Sequence, residues 1–123
     1  MGSHTDHILT ADLRDAYHYI LEQGKKDRAF DVTETGPNPK RSVHFNYANR
    51  STRPFAMIVN SGERKGYHLF YVRRPRAGDR LRVEKSFDKR LLNENPKGEI
   101  TIQLRNREDA TKMWELVHEI RLQ

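Results

Sequence analysis

At 123 residues the chain suits one domain, because two would leave each half too little interior to bury. Charged residues make up 33% and the hydrophobic set 35%, so the core is thin. Val, Ile, Leu and Phe together lie only slightly above the roughly 20% below which a highly charged chain stays unfolded, and the net charge is +6 with no cysteine, which excludes disulfides, thiolate metal sites and cysteine nucleophiles.

The longest apolar runs, Phe55 to Val59 and Leu69 to Val72, fall far short of the roughly 18 residues that a membrane span needs. A soluble, cytoplasmic protein without a membrane partner is the expectation. Met1-Gly2-Ser3-His4 has the look of a cloning remnant, which leaves 5–123 as the expected domain.

In chain order, Thr10 can cap a helix opening at Ala11. Leu13, Ala16, Tyr17, Ile20 and Leu21 then recur at helical spacing, and Gly24 reads as the terminator. Beyond it the period falls from 3.6 to 2, with Phe30 and Val32, then Val43, Phe45 and Tyr47 alternating with polar residues as half-buried strands do. Phe55–Val59 and Tyr67–Val72 are denser and read as the centre of a sheet. Leu81 and Val83 read as a further strand after a turn at 75–79, and Ile100, Ile102 and Leu104 as the last one after a turn at 93–98. Asn106 can cap a closing helix whose apolar stripe is Ala110, Met113, Trp114, Val117 and Ile120. The order of elements predicts an α+β fold: an antiparallel five- to six-stranded sheet flanked by an N-terminal and a C-terminal helix. Such a sheet buries one face under the helices and leaves the other as a platform.

The charge is unevenly laid out. Residues 35–78 hold nine bases, Lys40, Arg41, Arg50, Arg53, Arg64, Lys65, Arg73, Arg74 and Arg76, against the single acid Glu63. That segment therefore carries +8, and the rest of the chain −2. Seven of the nine are Arg, whose planar fork bonds phosphate or guanine bidentately. Clustered cations gain affinity for nucleic acid by displacing condensed counterions, with little need to read sequence. Arg80 and Arg82 extend the set, while Asn46 and Asn49 can address base edges. Phe45, Tyr47, Phe55, Tyr67, Phe70 and Tyr71 are interleaved among them, and those that face outward can stack on bases. The loops at 60–66 and 73–78 are the preferred phosphate contacts. The whole expectation requires these guanidinium groups to converge on one electropositive surface. The plainer alternative is a solvated face whose strand edges carry charge to prevent pairing.

Catalytic fingerprints are sparse. Lys65-Gly66-Tyr67 is similar to the start of a contact motif of the RNA-recognition-motif family, but His68-Leu69-Phe70 breaks its continuation and no helix follows the first strand. Leu13 to Tyr47 resembles the opening of a double-stranded-RNA-binding domain, yet the closing helix begins acidic, at Asn106-Arg107-Glu108-Asp109. Neither family is assigned. For a metal-dependent nuclease the nearest group is Asp79 with Glu84 and Lys85, where adjacent Glu84 and Lys85 would point to opposite faces of a strand. No cofactor or metal is implied. A metal-independent endoribonuclease or toxin-like domain stays open, since cleavage at the 2′-hydroxyl needs a base, an acid and cations, and His44 and His68 lie within the basic segment. The leading expectation is a non-enzymatic module gripping the phosphates of DNA or RNA; a basic protein–protein adaptor is the third possibility. Nothing in the sequence speaks to oligomeric state.

Overall fold

A computed structural model of the chain describes residues 8, 10–36, 41–48, 52–59 and 66–121. Helix α1 (Ala11–Lys26) starts where Thr10 accepts a hydrogen bond from the Leu13 backbone N–H at 3.3 Å. Strands β1 (Phe30–Thr35), β2 (Ser42–Tyr47), β3 (Phe55–Ile58) and β4 (His68–Val72) follow. Then come α2 (Ala77–Ser86), a short 3-10 turn (Lys89–Leu91), β5 (Leu92–Glu94), β6 (Ile100–Leu104) and α3 (Arg107–Arg121). All six strands pair antiparallel in one sheet, ordered β1-β2-β3-β4-β6-β5. The fold is α+β, with a helix at each end of the element order, and the two densest apolar runs, β3 and β4, are the central pair.

The first four strands form a meander, as short connections favour. The chain then leaves the sheet for α2 and returns through edge strand β5 to place β6 beside β4. The helices cover one face. Residues Val43, Phe45, Phe55, Met57, Phe70, Val72, Ile102 and Leu104 point inward from the strands and meet Leu13, Tyr17 and Ile20 of α1 and Met113, Trp114 and Val117 of α3. At the centre Phe45 lies 5.8 Å from both Phe70 and Trp114, ring centre to ring centre. Each large side chain wholly removed from water stabilises the fold by roughly 1.5–3 kcal/mol, so a thin composition still closes one contiguous core.

Three expectations are corrected. Leu81 and Val83 belong to α2, not to a strand, and the sixth strand is β5, which overlaps the start of the stretch read as a turn at 93–98. A pair at i, i+2 mimics a strand, but the buried positions are Asp79, Val83 and Phe87, at helical spacing of four, while Leu81 is 62% exposed. The polar member of that stripe, Asp79, hid the period. Its carboxylate accepts the Arg76 backbone N–H at 2.8 Å, which satisfies a free donor at the start of the helix. Gly24 is likewise not a terminator: α1 runs on to Lys26, and Gly24 is buried where α1 crosses β2, so that a Cβ there would stand 2.7 Å from the Phe45 ring. The closing helix matches expectation, with Asn106 Oδ1 accepting the Asp109 N–H at 2.9 Å and Asp109 reaching back to the Arg105 N–H at 2.9 Å.

Candidate functional site

Because successive side chains on a strand alternate between faces, the residues between the buried ones line the face that the helices leave uncovered. The register aligns one row on that side across all six strands, Thr33, His44, Ala56, Tyr71, Thr101 and Asn93, in which Thr101 is itself buried and donates its hydroxyl to the Asn93 carbonyl at 3.3 Å. His44 and Tyr71 thus flank Ala56, with two strand spacings, roughly 10 Å, between their Cα atoms. Since the residue between them is alanine, the row has a notch floored by a methyl group. Ser42, Ile58, Leu69 and Gln103 form the neighbouring row on one side.

On the other side lie two guanidinium groups. Arg53, just before β3, donates from Nε to Asn46 Oδ1 at 3.0 Å. Arg73 follows β4, and its backbone N–H bonds the Pro54 carbonyl at 2.9 Å. Its side chain donates from Nε to Glu99 Oε2 at 2.9 Å and from Nη1 to the Arg53 carbonyl at 3.4 Å. Glu99 is held in turn by Asn95, whose Nδ2 donates to Oε1 at 2.7 Å and whose Oδ1 accepts the Glu99 N–H at 3.0 Å. One carboxylate therefore fixes the direction of Arg73 and leaves the outer side of its fork for another acceptor. The Arg73 side chain is 39% exposed and that of Glu99 11%.

The titratable groups are tuned accordingly. Partial burial lowers the pKa of His44, and the positive charges of Arg53 and Arg73 lower it further, so the ring is neutral near pH 7. Burial raises Tyr71, and the charge of Glu99 adds to that, so the phenol keeps its proton. Burial pushes Glu99 up, but the hydrogen bonds from Asn95 and Arg73 outweigh it and hold the carboxyl below its ordinary value. A neutral imidazole, a protonated phenol and two oriented guanidinium groups therefore share one open patch.

The residues expected from the sequence separate into three groups. Arg53, Arg73 and Asn46 come together beside His44; Arg74 is the exposed next residue, and Arg41 is half-buried just before β2. Arg76, Arg80 and Arg82 go elsewhere, to α2, which packs on α3 in the helix layer. Each of those three is paired with a carboxylate: Arg76 with Asp79 at 3.3 Å, Arg82 with Asp79 at 3.8 Å, and Arg80 with Glu94. Arg76 also donates to the Ile120 carbonyl, so it ties α2 to α3. Lys40, Asn49, Arg50, Arg64 and Lys65 lie outside the described residues, as does the 60–65 portion of the loop favoured for phosphate contact.

Phe45, Phe55 and Phe70 are core, and Tyr47 stacks on Phe30 with ring centres 5.6 Å apart; of the two remaining rings, half-buried Tyr67 precedes β4 at the end of the strand away from Arg73, and Tyr71 is the one next to the two guanidinium groups. His68 points into the core, fully buried, with Nε2 2.8 Å from the Leu13 carbonyl oxygen, on the opposite face from His44. The Asp79–Glu84–Lys85 group does not assemble, because Asp79 is taken up in starting α2. Among the described residues no group of three or more His, Asp or Glu is placed to hold a metal ion.

No protein family, curated protein or solved structure matches the chain. Among the described residues no helix is long and apolar enough to cross a membrane.

Glu99 and Asn95 were absent from the sequence expectation. Glu99 meets Arg73 across 26 positions of sequence, through the pairing of β4 with β6, and no local pattern announces such a pair. The one usable signal was the Asn95-Pro96-Lys97-Gly98 turn, since an Asn there commonly folds its side chain back onto the next backbone N–H groups.

Proposed function

We propose that the chain is a nucleic-acid-binding module that holds phosphate on its open sheet face, with Arg53 and Arg73 as the principal contacts and Asn46 and Arg74 beside them. The observation that carries this is the convergence of two guanidinium groups, from segments 20 residues apart, on an uncovered patch with an aromatic ring next to it. Guanidinium forks suit phosphate oxygens, and Tyr71 offers a face to a neighbouring base. The surface is smaller than the composition suggests, because the arginines of α2 serve the helix layer. The segment at 60–66 and Arg50 extend the contact set in this reading.

A titration of fluorescent single- and double-stranded DNA and RNA at two salt concentrations tests it. Affinity should fall steeply with salt, and Arg53→Ala should remove roughly one unit of log–log slope, the share of one phosphate contact. Arg73→Ala should weaken binding further, because it also exposes the Glu99 charge. Binding that ignores salt, or retention of an acidic protein instead of nucleic acid, overturns the proposal in favour of an adaptor.

A further inference from the structure

We infer that the notch between His44 and Tyr71 cleaves single-stranded RNA at its own 2′-hydroxyl, with His44 as the base and Tyr71 as the acid. This rests on the reading of the same face as a phosphate-binding surface.

The geometry is specific. Displacement at phosphorus runs in line, so the base that serves the attacking oxygen and the acid that serves the departing one must stand on opposite sides of the phosphate. Two hydrogen bonds of ~3 Å plus the breadth of a phosphoryl group fill about the span of two strand spacings, and the Cα atoms of His44 and Tyr71 are set that far apart on one face, with Ala56 between them in the register. Arg53 and Arg73 border the same notch and can take the non-bridging oxygens, where charge gathers as the fifth bond forms. Glu99 is a positioning residue: it holds Arg73 from behind.

The step balances without a co-reactant. The 2′-oxygen gives its proton to a ring nitrogen of His44 and forms a bond to phosphorus. The bond from phosphorus to the 5′-oxygen breaks, and that oxygen takes the phenolic proton of Tyr71. The products are a 2′,3′-cyclic phosphate and a 5′-hydroxyl. His44 is left protonated and Tyr71 deprotonated, and exchange with water restores both. Of the carboxylates on this face among the described residues, Glu99 is already engaged by Arg73 and Asn95, and Asp31 stands beyond Asn46 on the edge strand β1, so proton transfer is the chemistry the side chains beside the notch offer. DNA has no 2′-hydroxyl and is bound but not cut. A single strand is required because an A-form duplex holds the 2′-oxygen out of line; the half-buried Ile58 and Leu69 next to the notch give an unstacked base an apolar rest.

The test compares a mixed-sequence single-stranded RNA with its fully 2′-O-methylated counterpart, in EDTA at physiological salt. The RNA should be cut to fragments ending in cyclic phosphate, and the methylated strand should be bound but left whole. His44→Ala and Tyr71→Phe, prepared identically, should each lower the cleavage rate by about 100-fold or more, with the unfolding midpoint followed by Trp114 fluorescence confirming that each variant is folded. Tyr71→Phe changes one outward-facing oxygen, so it keeps the test decisive if His44→Ala fails to fold. Salt-dependent binding of the methylated strand with RNA left intact overturns the cleavage inference and leaves the binding proposal standing. No binding of either strand overturns both. Undiminished cleavage by either variant assigns the activity elsewhere and overturns the inference.

Discussion

Replacing Gly24 with alanine sets two effects of opposite sign against each other, and the packing around α1 decides between them. In a helix the exchange is favourable by at most ~1 kcal/mol, because glycine has more backbone freedom to lose on folding. Against that, the new Cβ would lie 2.7 Å from Phe45 Cε2 and 3.1 Å from Val32 Cγ2. A real Cβ does not tolerate the first distance, so something must move. The obstacle is a ring edge, not the free end of a flexible chain: Phe45 is fully buried and held by Phe30, Phe70 and Trp114 at ring-centre distances of 6.3, 5.8 and 5.8 Å. Shifting α1 away from β2 instead would loosen its seat on α3. Overpacking of a closed core costs about 1–3 kcal/mol, so the net expectation for Gly24→Ala is a loss of about 1 kcal/mol, or a few degrees in Tm for a chain of this size. Urea and thermal unfolding followed by circular dichroism measure it. An increase in stability near the full helix-propensity gain would refute the reasoning, since it would mean that the α1–β2 contact yields freely.

Further outcomes follow from other contacts. Burial lowers the pKa of His68, and its hydrogen bond to the Leu13 carbonyl offsets this only in part, so below pH 6.5 the unfolded chain binds a proton that the native one refuses. Stability should therefore be intact above that pH and be lost as pH falls below it; the less buried His44 adds in the same direction. His68→Gln, which keeps an N–H donor for Leu13, should flatten that part of a Tm-against-pH curve, and an unchanged slope would contradict the assignment. Asp79→Ala removes the acceptor for the Arg76 N–H and leaves the Arg76 and Arg82 guanidinium groups without their partner; a loss of about 1–2 kcal/mol in chemical unfolding is expected. Leu81→Ser, by contrast, should change stability by less than about 0.5 kcal/mol, as the side chain is 62% exposed on α2; a core-sized loss would restore the strand assignment for that segment.

What could be read from the sequence was what depends on near neighbours. The caps Thr10 and Asn106, the stripes of α1 and α3, and the alternation in β1, β2 and β6 are local regularities, and each recurs in the structure because a backbone of period 3.6 or 2 turns such a pattern into one buried face. Where a buried position carried a polar residue, the pattern misled: Asp79 broke the apolar stripe of α2, and the exposed Leu81 supplied a false alternation. Gly24 misled in another way, because a glycine that ends a helix and one that lets a ring approach look alike in one dimension.

The excess of positive charge in residues 35–78 was legible as a total, while its distribution was settled by strand pairing and helix docking. Register set His44 and Tyr71 two strands apart across Ala56, the β4–β6 pairing brought Glu99 to Arg73, and the turn into α2 carried Arg76, Arg80 and Arg82 to carboxylates of their own. Composition counts charges, but a site depends on which side chains share a face and at what separation. That is fixed by contacts between residues far apart in the chain, which only the folded backbone brings together.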